Sequence, residues 1–212
     1  MRAPVKVFLA SSNPGKLAEY RALAEAAGPA LGGPGIALVL LPGFDSLPAF
    51  EEDAPTFAEN AAGKALHYSR FRDGLVFADD SGLVVPALGG APGVLSARYA
   101  GPRASSEERN AKLLSELRGA SGRERAAYFV CAIALTERGR AKAIVTARVD
   151  GEILAAPRGD RGFGYDPVFY ISELGKGFAE ISSDEKNEHS HRGRAFRKLL
   201  AFLSYDIVTD QT

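Results

Sequence analysis

The pair Asp79-Asp80 is the first feature of the sequence that could do chemistry, because adjacent carboxylates repel each other unless a cation joins them. The apolar residues 75–78 predict a short strand, so Asp79-Asp80-Ser81-Gly82 is expected at a strand's carboxyl end, where open α/β sheets bind ligands. Mg2+ takes one or two protein carboxylates and completes its octahedron with water and phosphate oxygens. The sequence therefore predicts a magnesium site here, with an Asx turn as the alternative.

A candidate phosphate-binding turn joins a strand predicted over residues 5–10 to a helix predicted over residues 16–27. Free backbone N–H groups and the helix dipole favour a phosphate at such a point, and Lys16 adds a positive charge. Leu17 stands where a Walker A loop requires a Ser or Thr for magnesium, so any magnesium must be held elsewhere. A plain capped helix is the alternative. The turn consists of Ser11, Ser12, Asn13, Pro14, Gly15 and Lys16.

A second acidic run, Glu51-Glu52-Asp53, precedes a helix whose start is marked by the capping-box spacing of Thr56 and Glu59. This helix is predicted to run to about residue 70 and to place Asn60 and Lys64 on one face. The acidic run could supply another metal ligand while Lys64 meets phosphate. A solvated acidic loop is the commoner explanation of such a run.

Two later segments also combine polar groups with distinctive local structure. The segment Arg161-Gly162-Phe163-Gly164-Tyr165-Asp166-Pro167 lets backbone approach a ligand while a ring stacks on it, although rings that fill the core are the alternative. Lys186, His189, His191 and Arg192 lie at the predicted entrance of a last helix over residues 191–203, where donors suit an anionic or carbonyl-bearing ligand. A surface helix start is the alternative, and the histidine spacing matches no zinc site.

The remaining elements predict the fold class. They are a strand over residues 36–41, a helix capped by Ser105 that ends near residue 117, and a hairpin of residues 128–135 and 142–149. Strands that alternate with helices early and pair as hairpins later predict an α/β protein with a mixed β-sheet, in one domain over residues 1–212. Gly32-Gly33-Pro34-Gly35 reads as an ordinary loop, too short for a domain linker.

The composition indicates a globular protein and limits its partners. The 26 basic and 26 acidic residues give zero formal charge, so no global field exists to hold nucleic acid. Cys131, the one cysteine, lies in an apolar run and reads as a reduced core thiol, which is consistent with the cytoplasm. No span approaches transmembrane length, and the apolar stretch near the N-terminus is too short for a signal peptide. We therefore expect no membrane partner.

Five segments, in order, resemble the inosine triphosphate pyrophosphatase family. Residues 11–16 resemble its Thr-Gly-Asn-x-x-Lys, and residues 51–64 its Glu-x-x-Gly-x-Thr-Phe-x-Glu-Asn-Ala-x-x-Lys. Residues 78–101 resemble its Ala-Asp-Asp-Ser-Gly-Leu, Gly-Ala-Pro-Gly and Ser-Ala-Arg-Tyr-x-Gly. Residues 162–169 and 185–193 match Gly-Phe-Gly-Tyr-Asp-Pro-x-Phe and Glu-Lys-x-x-x-Ser-His-Arg-Gly. Ser12 and Ala54 replace glycines of the family pattern, which weakens residue-level expectations for those two turns.

The resemblance implies hydrolysis of inosine, deoxyinosine and xanthosine triphosphates (ITP, dITP and XTP) to the monophosphate and pyrophosphate, with Mg2+ as cofactor. It also implies a homodimer, and an elongated mixed β-sheet with flanking helices that form two lobes around a central cleft. Family roles place the metal on Glu51 and Asp80, and make Asp80 the base for the attacking water. They assign the phosphates to the opening turn, Lys64 and Lys186. They assign the nucleoside and base to Ser81, Phe163, Gly164, Tyr165, Asp166, His191 and Arg192.

Two rival interpretations remain. A Maf-type pyrophosphatase, which acts on pyrimidine or modified nucleotides, shares the opening turn, but the Phe-Gly-Tyr-Asp and Ser-His-Arg-Gly segments speak against it. A nucleotide-binding or RNA-binding module without catalysis is disfavoured by the zero net charge and by the retained acids.

Overall fold

The computed structural model of the chain describes residues 4–27 and 36–209, the last five by their backbone alone. The loop Gly32-Gly33-Pro34-Gly35 lies outside these residues. The described strands are β1 (Val5–Leu9), β2 (Ile36–Leu40), β3 (Leu75–Val84), β4 (Ala126–Glu137), β5 (Arg140–Ile153), β6 (Phe169–Ile171) and β7 (Lys176–Gly177). The described α-helices are α1 (Pro14–Ala26), α2 (Phe57–Tyr68), α3 (Ser106–Glu116), α4 (Ser183–His189) and α5 (His191–Thr209).

The strands form one sheet in the order β2-β1-β3-β4-β5-β6-β7. Strand β1 is parallel to β2 and β3, whereas β6 is antiparallel to β5 and β7. The predicted α/β fold with a mixed sheet is therefore confirmed. Adjacent strands β4 and β5 are joined by Arg138 and Gly139, whose φ angles of 49° and 74° are those of a tight hairpin turn that matches strand twist. The predicted hairpin is present, with longer strands.

The chain divides into two compact units. The first contains the described residues up to Asp80, Cys131–Ala147 and the residues from Arg192 onward, and the second contains Ser81–Val130 and Arg148–His191. The chain passes between them inside β3, β4 and β5 and at the start of α5. One domain over the whole chain, with a cleft between two lobes, stays a prediction.

In the first unit, alternate side chains of the strands pack on different helices. Val7 of β1 belongs to a core cluster with Tyr20 of α1 and Phe196 of α5. Its neighbour Phe8 belongs to another cluster that includes Ala61 of α2. Burial on both faces explains why these strands read as continuous apolar runs.

In the second unit, helix α3 is capped and anchored. The Ser105 side chain accepts the Glu108 N–H, and the Glu108 side chain accepts the Ser105 N–H, which is the predicted capping box. Leu113 of α3 packs in a core cluster with Phe129 of β4 and Phe169 of β6. The predicted helix is confirmed at both ends to within one residue.

Strand β3 differs most from its prediction. The apolar run predicts a strand that stops before the acids, but β3 continues to Val84 and holds Asp79 and Asp80 in its interior. Both acids are buried, so the placement at a strand's carboxyl end was wrong, and the Asx-turn alternative is excluded. Burial of adjacent acids inside a strand requires cationic or amide partners.

The C-terminal helices also differ from their prediction. Helix α5 begins at His191 as predicted but runs to Thr209, and the unpredicted helix α4 precedes it. Lys186 and His189 lie on α4, so the four predicted donors do not share one helix entrance. Cys131 is a buried free thiol, as predicted. Among the residues described, no helix has the length and apolar character needed to cross a membrane.

Candidate active site

The two carboxylates of β3 reach different helices of the first unit. Asp79 lies on the side of the strand that carries Phe77, and its buried Oδ2 is 2.8 Å from Nζ of Lys16 in α1. Asp80 lies on the opposite side and accepts a hydrogen bond at 3.0 Å from Nδ2 of Asn60 in α2. The alternation of a strand therefore gives neighbouring acids separate environments.

These environments move the two pKa values in opposite directions. Burial by itself raises the pKa of Asp79, but it is outweighed by three cations, which lower this pKa: Lys16, Arg192 and Lys64. Burial, reinforced by the charge of Glu52, raises the pKa of Asp80 to about 6. Two carboxyls whose pKa values are pushed apart can divide the roles of fixed anion and proton acceptor.

Asn60 connects Asp80 to the loop that precedes α2. Its buried Oδ1 accepts the backbone N–H of Ala54 at 2.9 Å, and its Nδ2 donates to the Ala54 carbonyl at 3.4 Å. The same Nδ2 donates to Oδ2 of Asp80 at 3.0 Å. One side-chain amide therefore orients both the carboxylate and the end of the acidic loop.

Of the three acids in that loop, Glu52 is the one that contacts the site. Its Oε1 lies 2.5 Å from Nζ of Lys64, whereas Glu51 and Asp53 are exposed. Burial by itself lowers the pKa of Lys64, but neighbouring carboxylates, chiefly Glu52 and Asp79, raise it above its ordinary value. Lys64 is therefore charged at neutral pH. The metal-binding role of Glu51 stays a prediction.

The acids of the first unit suit a hard cation that takes few protein ligands. Within residues 4–27 and 36–209, no group of three or more His, Cys, Asp and Glu side chains is arranged to hold a metal ion. Asp80 and Glu52 are close enough for the charge of one to raise the pKa of the other, and a cation between them would relieve that repulsion. One or two carboxylates with the remaining positions left to water and phosphate is the arrangement that Mg2+ prefers.

The opening turn lies between β1 and α1, as predicted. Pro14 is the first helical residue, and Oδ1 of Asn13 caps the helix by accepting the Lys16 N–H at 3.1 Å. Ser11 is buried and accepts the Asn13 N–H at 3.2 Å, whereas Ser12 is exposed. These bonds fit a capped helix, and the phosphate role of the turn, including Gly15, stays a prediction.

In the second unit, Asp166 holds together the aromatic loop, which consists of residues 161–167. Its Oδ2 accepts the Phe163 N–H at 2.7 Å and lies 2.5 Å from Nζ of Lys186, which is 4.7 Å from the centre of the Phe163 ring. Gly162 has a φ of +73°, and a Cβ there would lie 2.1 Å from that same oxygen. Lys186, which the resemblance assigns to phosphate, is thus buried beside the loop that the resemblance assigns to the base.

The two rings of this loop have different surroundings. Tyr165 belongs to the core cluster of the second unit, and its hydroxyl donates to the Ser96 carbonyl at 2.9 Å. Phe163 is only partly buried and lies outside that cluster. The core-filling alternative therefore holds for Tyr165, and the stacking role of Phe163 stays a prediction. Ser81, also in this unit, is partly exposed on β3.

His191 and Arg192 are adjacent and buried, but they belong to different units. The His191 ring stacks on Phe129, with centroids 4.6 Å apart and planes at 7°. Nη1 of Arg192 donates to Glu19 of α1, and Nε of Arg192 lies 3.8 Å from Oδ2 of Asp79. Burial by itself lowers the pKa of Arg192, but these acids raise it above its ordinary value. The reading of a base carbonyl by this pair stays a prediction.

Three side chains at these sites were missed as candidates, although Asn60 carried a signal because it shares a helix face with Lys64. The others are Glu19 as the partner of Arg192, and Asn110 of α3. Glu52 was a candidate within the acidic run, but its pairing with Lys64 was missed. Nδ2 of Asn110 donates to the Gly164 carbonyl at 3.1 Å. Nothing in sequence spacing shows that such distant residues meet.

The fold and these contacts define an α/β protein with a mixed sheet, whose buried acid pair and partly buried lysines suit a phosphate-bearing ligand held through a cation. The family model described as Ham1 family matches residues 7–202, and the chain belongs to that family. This match decides against the Maf-type alternative.

Relatives and solved structures agree with this assignment. The dITP/XTP pyrophosphatase of Geobacillus kaustophilus is 47% identical over 194 residues, with 92% of each chain covered. The dITP/XTP pyrophosphatase of Gloeobacter violaceus is 49% identical over 93% of this chain and 94% of that relative. The structure of a HAM1 protein from Coxiella burnetii aligns with a TM-score of 0.82 at 41% identity, over 95% of this chain and 99% of the other. The resemblance seen in five sequence segments is confirmed.

Proposed function

We propose that this chain hydrolyses noncanonical purine nucleoside triphosphates, such as ITP, dITP and XTP, to the nucleoside monophosphate and pyrophosphate. The observation that carries the proposal is the acid pair of β3, in which Lys16 holds Asp79 while the pKa of Asp80 is raised to about 6. Such a carboxylate is ionised at pH 7 and still basic enough to accept a proton. The printed names of the relatives, dITP/XTP pyrophosphatase, support the same chemistry.

In the proposed reaction, Asp80 accepts a proton from the attacking water. The water oxygen forms a new bond to phosphorus as the bond to the departing pyrophosphate breaks, and no covalent nucleophile is needed. Lys16 and Lys64 neutralise charge on the phosphates and on the leaving group. Each lysine is paired with a carboxylate, so phosphate oxygens compete with Asp79 and Glu52 for these cations.

We propose Mg2+ as the cofactor, held by Asp80 and one acid of the loop before α2. The resemblance favours Glu51 as the second ligand, whereas the contact with Lys64 and the effect on the pKa of Asp80 favour Glu52. The ion would supply charge neutralisation at the transferred phosphoryl group. The rise in Tm on adding Mg2+ should fall most in whichever of Glu51→Gln and Glu52→Gln removes the ligand.

For the base, the proposal gives Phe163 a stacking role and gives Arg192 and His191 the role of reading a carbonyl. Arg192 only donates hydrogen bonds, which suits the 6-carbonyl of hypoxanthine or xanthine and opposes the amino group of adenine. Arg192→Ala should therefore reduce kcat/KM for ITP much more than for ATP. Equal losses on the two substrates would assign Arg192 to the fold, through Glu19 and Asp79.

A homodimer in the cytoplasm completes the proposal. The dimer rests on the resemblance, and the location is supported by the buried reduced thiol of Cys131. Light scattering coupled to size-exclusion chromatography should give the mass of two chains, and a single-chain mass would reject the dimer.

The decisive experiment is a panel of nucleoside triphosphates with separate detection of pyrophosphate and orthophosphate. We expect ITP, dITP and XTP to release pyrophosphate in a chelator-sensitive reaction, with ATP and GTP far slower. Early formation of diphosphate and orthophosphate would reject the pyrophosphatase. Preference for a pyrimidine substrate would reject the purine assignment, and binding without turnover would indicate a nucleotide-binding module.

A further inference from the structure

Asp166 and Phe163 close the aromatic loop of the second unit around Gly164. Asp166 accepts the Phe163 N–H through its side chain, and its own N–H donates to the Phe163 carbonyl at 3.3 Å. Gly164 lies between these ends with a φ of +66°. Because glycine has no Cβ to restrict it, the orientation of this peptide needs a contact from elsewhere in the fold.

That contact comes from Asn110 in the middle of α3. Its Nδ2 donates to the Gly164 carbonyl at 3.1 Å, and the side chain is 6% exposed. Helix α3 is itself fixed by the Ser105 capping box and by Leu113 in the core. A capped and packed helix thereby holds the Gly164 peptide of the loop.

Among the described residues, the other polar atom of the Asn110 amide makes no bond that competes with the contact to Gly164. Its Oδ1 is buried, and in the part of the chain that the structure describes it has no hydrogen-bond partner. The bond to Gly164 is the contact that Asn110 makes toward a predicted ligand-binding segment.

We propose that Asn110 is a positioning residue for base selection: it fixes the Gly164 peptide and thereby the direction in which Phe163 presents its ring. This inference rests on the proposed function, in which the loop contacts the base. It assigns to α3 a role in substrate preference that does not require Asn110 to touch the substrate. Loss of the bond should loosen the loop and weaken discrimination between purines, with little change in the unfolding free energy.

The first arm of the test measures the loop without any nucleotide. Trypsin can cut after Arg161, which is exposed and is the first residue of the loop. Asn110→Leu, which keeps the side-chain volume but removes both polar atoms, should speed this cut about tenfold, since opening is opposed by one hydrogen bond fewer. Asn110→Ala should also speed the cut, and it keeps the test possible if leucine does not fit at this position. Mass spectrometry identifies the cut.

The matched control is the neighbouring residue of the same helix. Arg109 donates to the Ala97 and Ala104 carbonyls and to Oγ of Ser106, and none of these three bonds reaches the loop. Arg109→Gln should therefore lower Tm more than the Asn110 variants do, while leaving the cut after Arg161 at its wild-type rate. An equal acceleration in Arg109→Gln would mean that any damage to α3 loosens the loop, and would overturn the role of Asn110.

The second arm measures kcat/KM for ITP and ATP. The ITP-to-ATP ratio should fall at least about threefold in both Asn110 variants, mainly through KM for ITP, and should not change in Arg109→Gln. The inference is overturned if the rate of cleavage after Arg161 is unchanged in both Asn110 variants. It is also overturned if their ITP-to-ATP ratio of kcat/KM is unchanged. The wild-type ratio is measured first: a wild type without ITP preference rejects the proposed function, whereas failure confined to the Asn110 variants rejects this inference alone.

Discussion

The acidic site of the first unit and the aromatic loop of the second hold their functional groups in different ways. At the acidic site, charged side chains pair directly: Lys16 with Asp79, and Lys64 with Glu52. In the loop, most contacts fix backbone groups, such as the Phe163 N–H and the Gly164 carbonyl. Charge pairs set protonation and phosphate affinity, whereas fixed peptides set the direction of a ring. We therefore expect damage to the first region to abolish chemistry and damage to the second to alter substrate choice.

The largest effect should follow from Asp80→Asn, because a general base contributes about a hundredfold to ten-thousandfold to rate. We expect kcat for ITP to fall at least about a hundredfold in a protein that folds normally, since an amide can keep the bond to Asn60. Steady-state kinetics with far-UV circular dichroism measures both properties. Near-normal turnover in the folded variant would remove Asp80 from the mechanism.

The neighbouring substitution, Asp79→Asn, should instead act on stability. Asp79 is fully buried beside Lys16 and Arg192, and neutralising it removes the counter-charge of the partly buried Lys16 and one of the two acids beside Arg192. Breaking a buried ion pair from one side costs about 3–5 kcal/mol, so we expect a loss of about that size in the unfolding free energy. Urea denaturation of both variants provides the comparison. If Asp79→Asn were as stable as wild type, the two acids would not have the separate roles described here.

These same residues show which features of the fold could be predicted from the sequence. Apolar periodicity and capping spacings predicted the order of most elements, because those signals are local. The interior position of Asp79 and Asp80 in β3 was missed, because burial of acids depends on Lys16 and Arg192, which reach them only through the tertiary fold. Helix α4 was missed although Ser182 and Glu185 carry the same capping spacing that was used for α2 and α3.

The site residues show the same limit of sequence-based prediction. The five family segments contained Asp80, Lys64 and Phe163, but a run of three acids does not reveal which one turns inward. The structure turns Glu52 toward Lys64 and leaves Glu51 exposed. Asn110 lies outside the roles given by the resemblance, and only the fold brings it to Gly164.

A smaller effect should appear in the pH dependence of stability without metal. Because the pKa of Asp80 is raised to about 6, the folded chain keeps this proton between about pH 4 and pH 6, where the unfolded chain has lost it. The unfolding free energy should therefore fall as pH rises through this window, by up to about 3 kcal/mol from this group.

In Asp80→Asn this contribution disappears, so the variant should gain stability relative to wild type above pH 6 and match it below pH 4. Thermal denaturation in chelator across pH 4–8 measures the difference. Addition of Mg2+ at pH 8 should raise the Tm of wild type and leave the variant unchanged. A variant that responds to Mg2+ as wild type does would place the metal on other ligands.

The smallest effect should come from the aromatic loop, where Phe163→Leu removes a ring face but keeps an apolar side chain. Stacking of a base on an aromatic ring is worth about 1–3 kcal/mol, so KM for ITP should rise about tenfold while kcat stays within about twofold of wild type. Tyr165→Phe is the matched control, because it keeps the buried ring and removes only the hydroxyl that donates to Ser96. Its KM should stay near wild type, and the response of Tm to Mg2+ should be normal in both variants. A fall in kcat for Phe163→Leu comparable to that of Asp80→Asn would show that the loop takes part in chemistry, and the division between the two regions would fail.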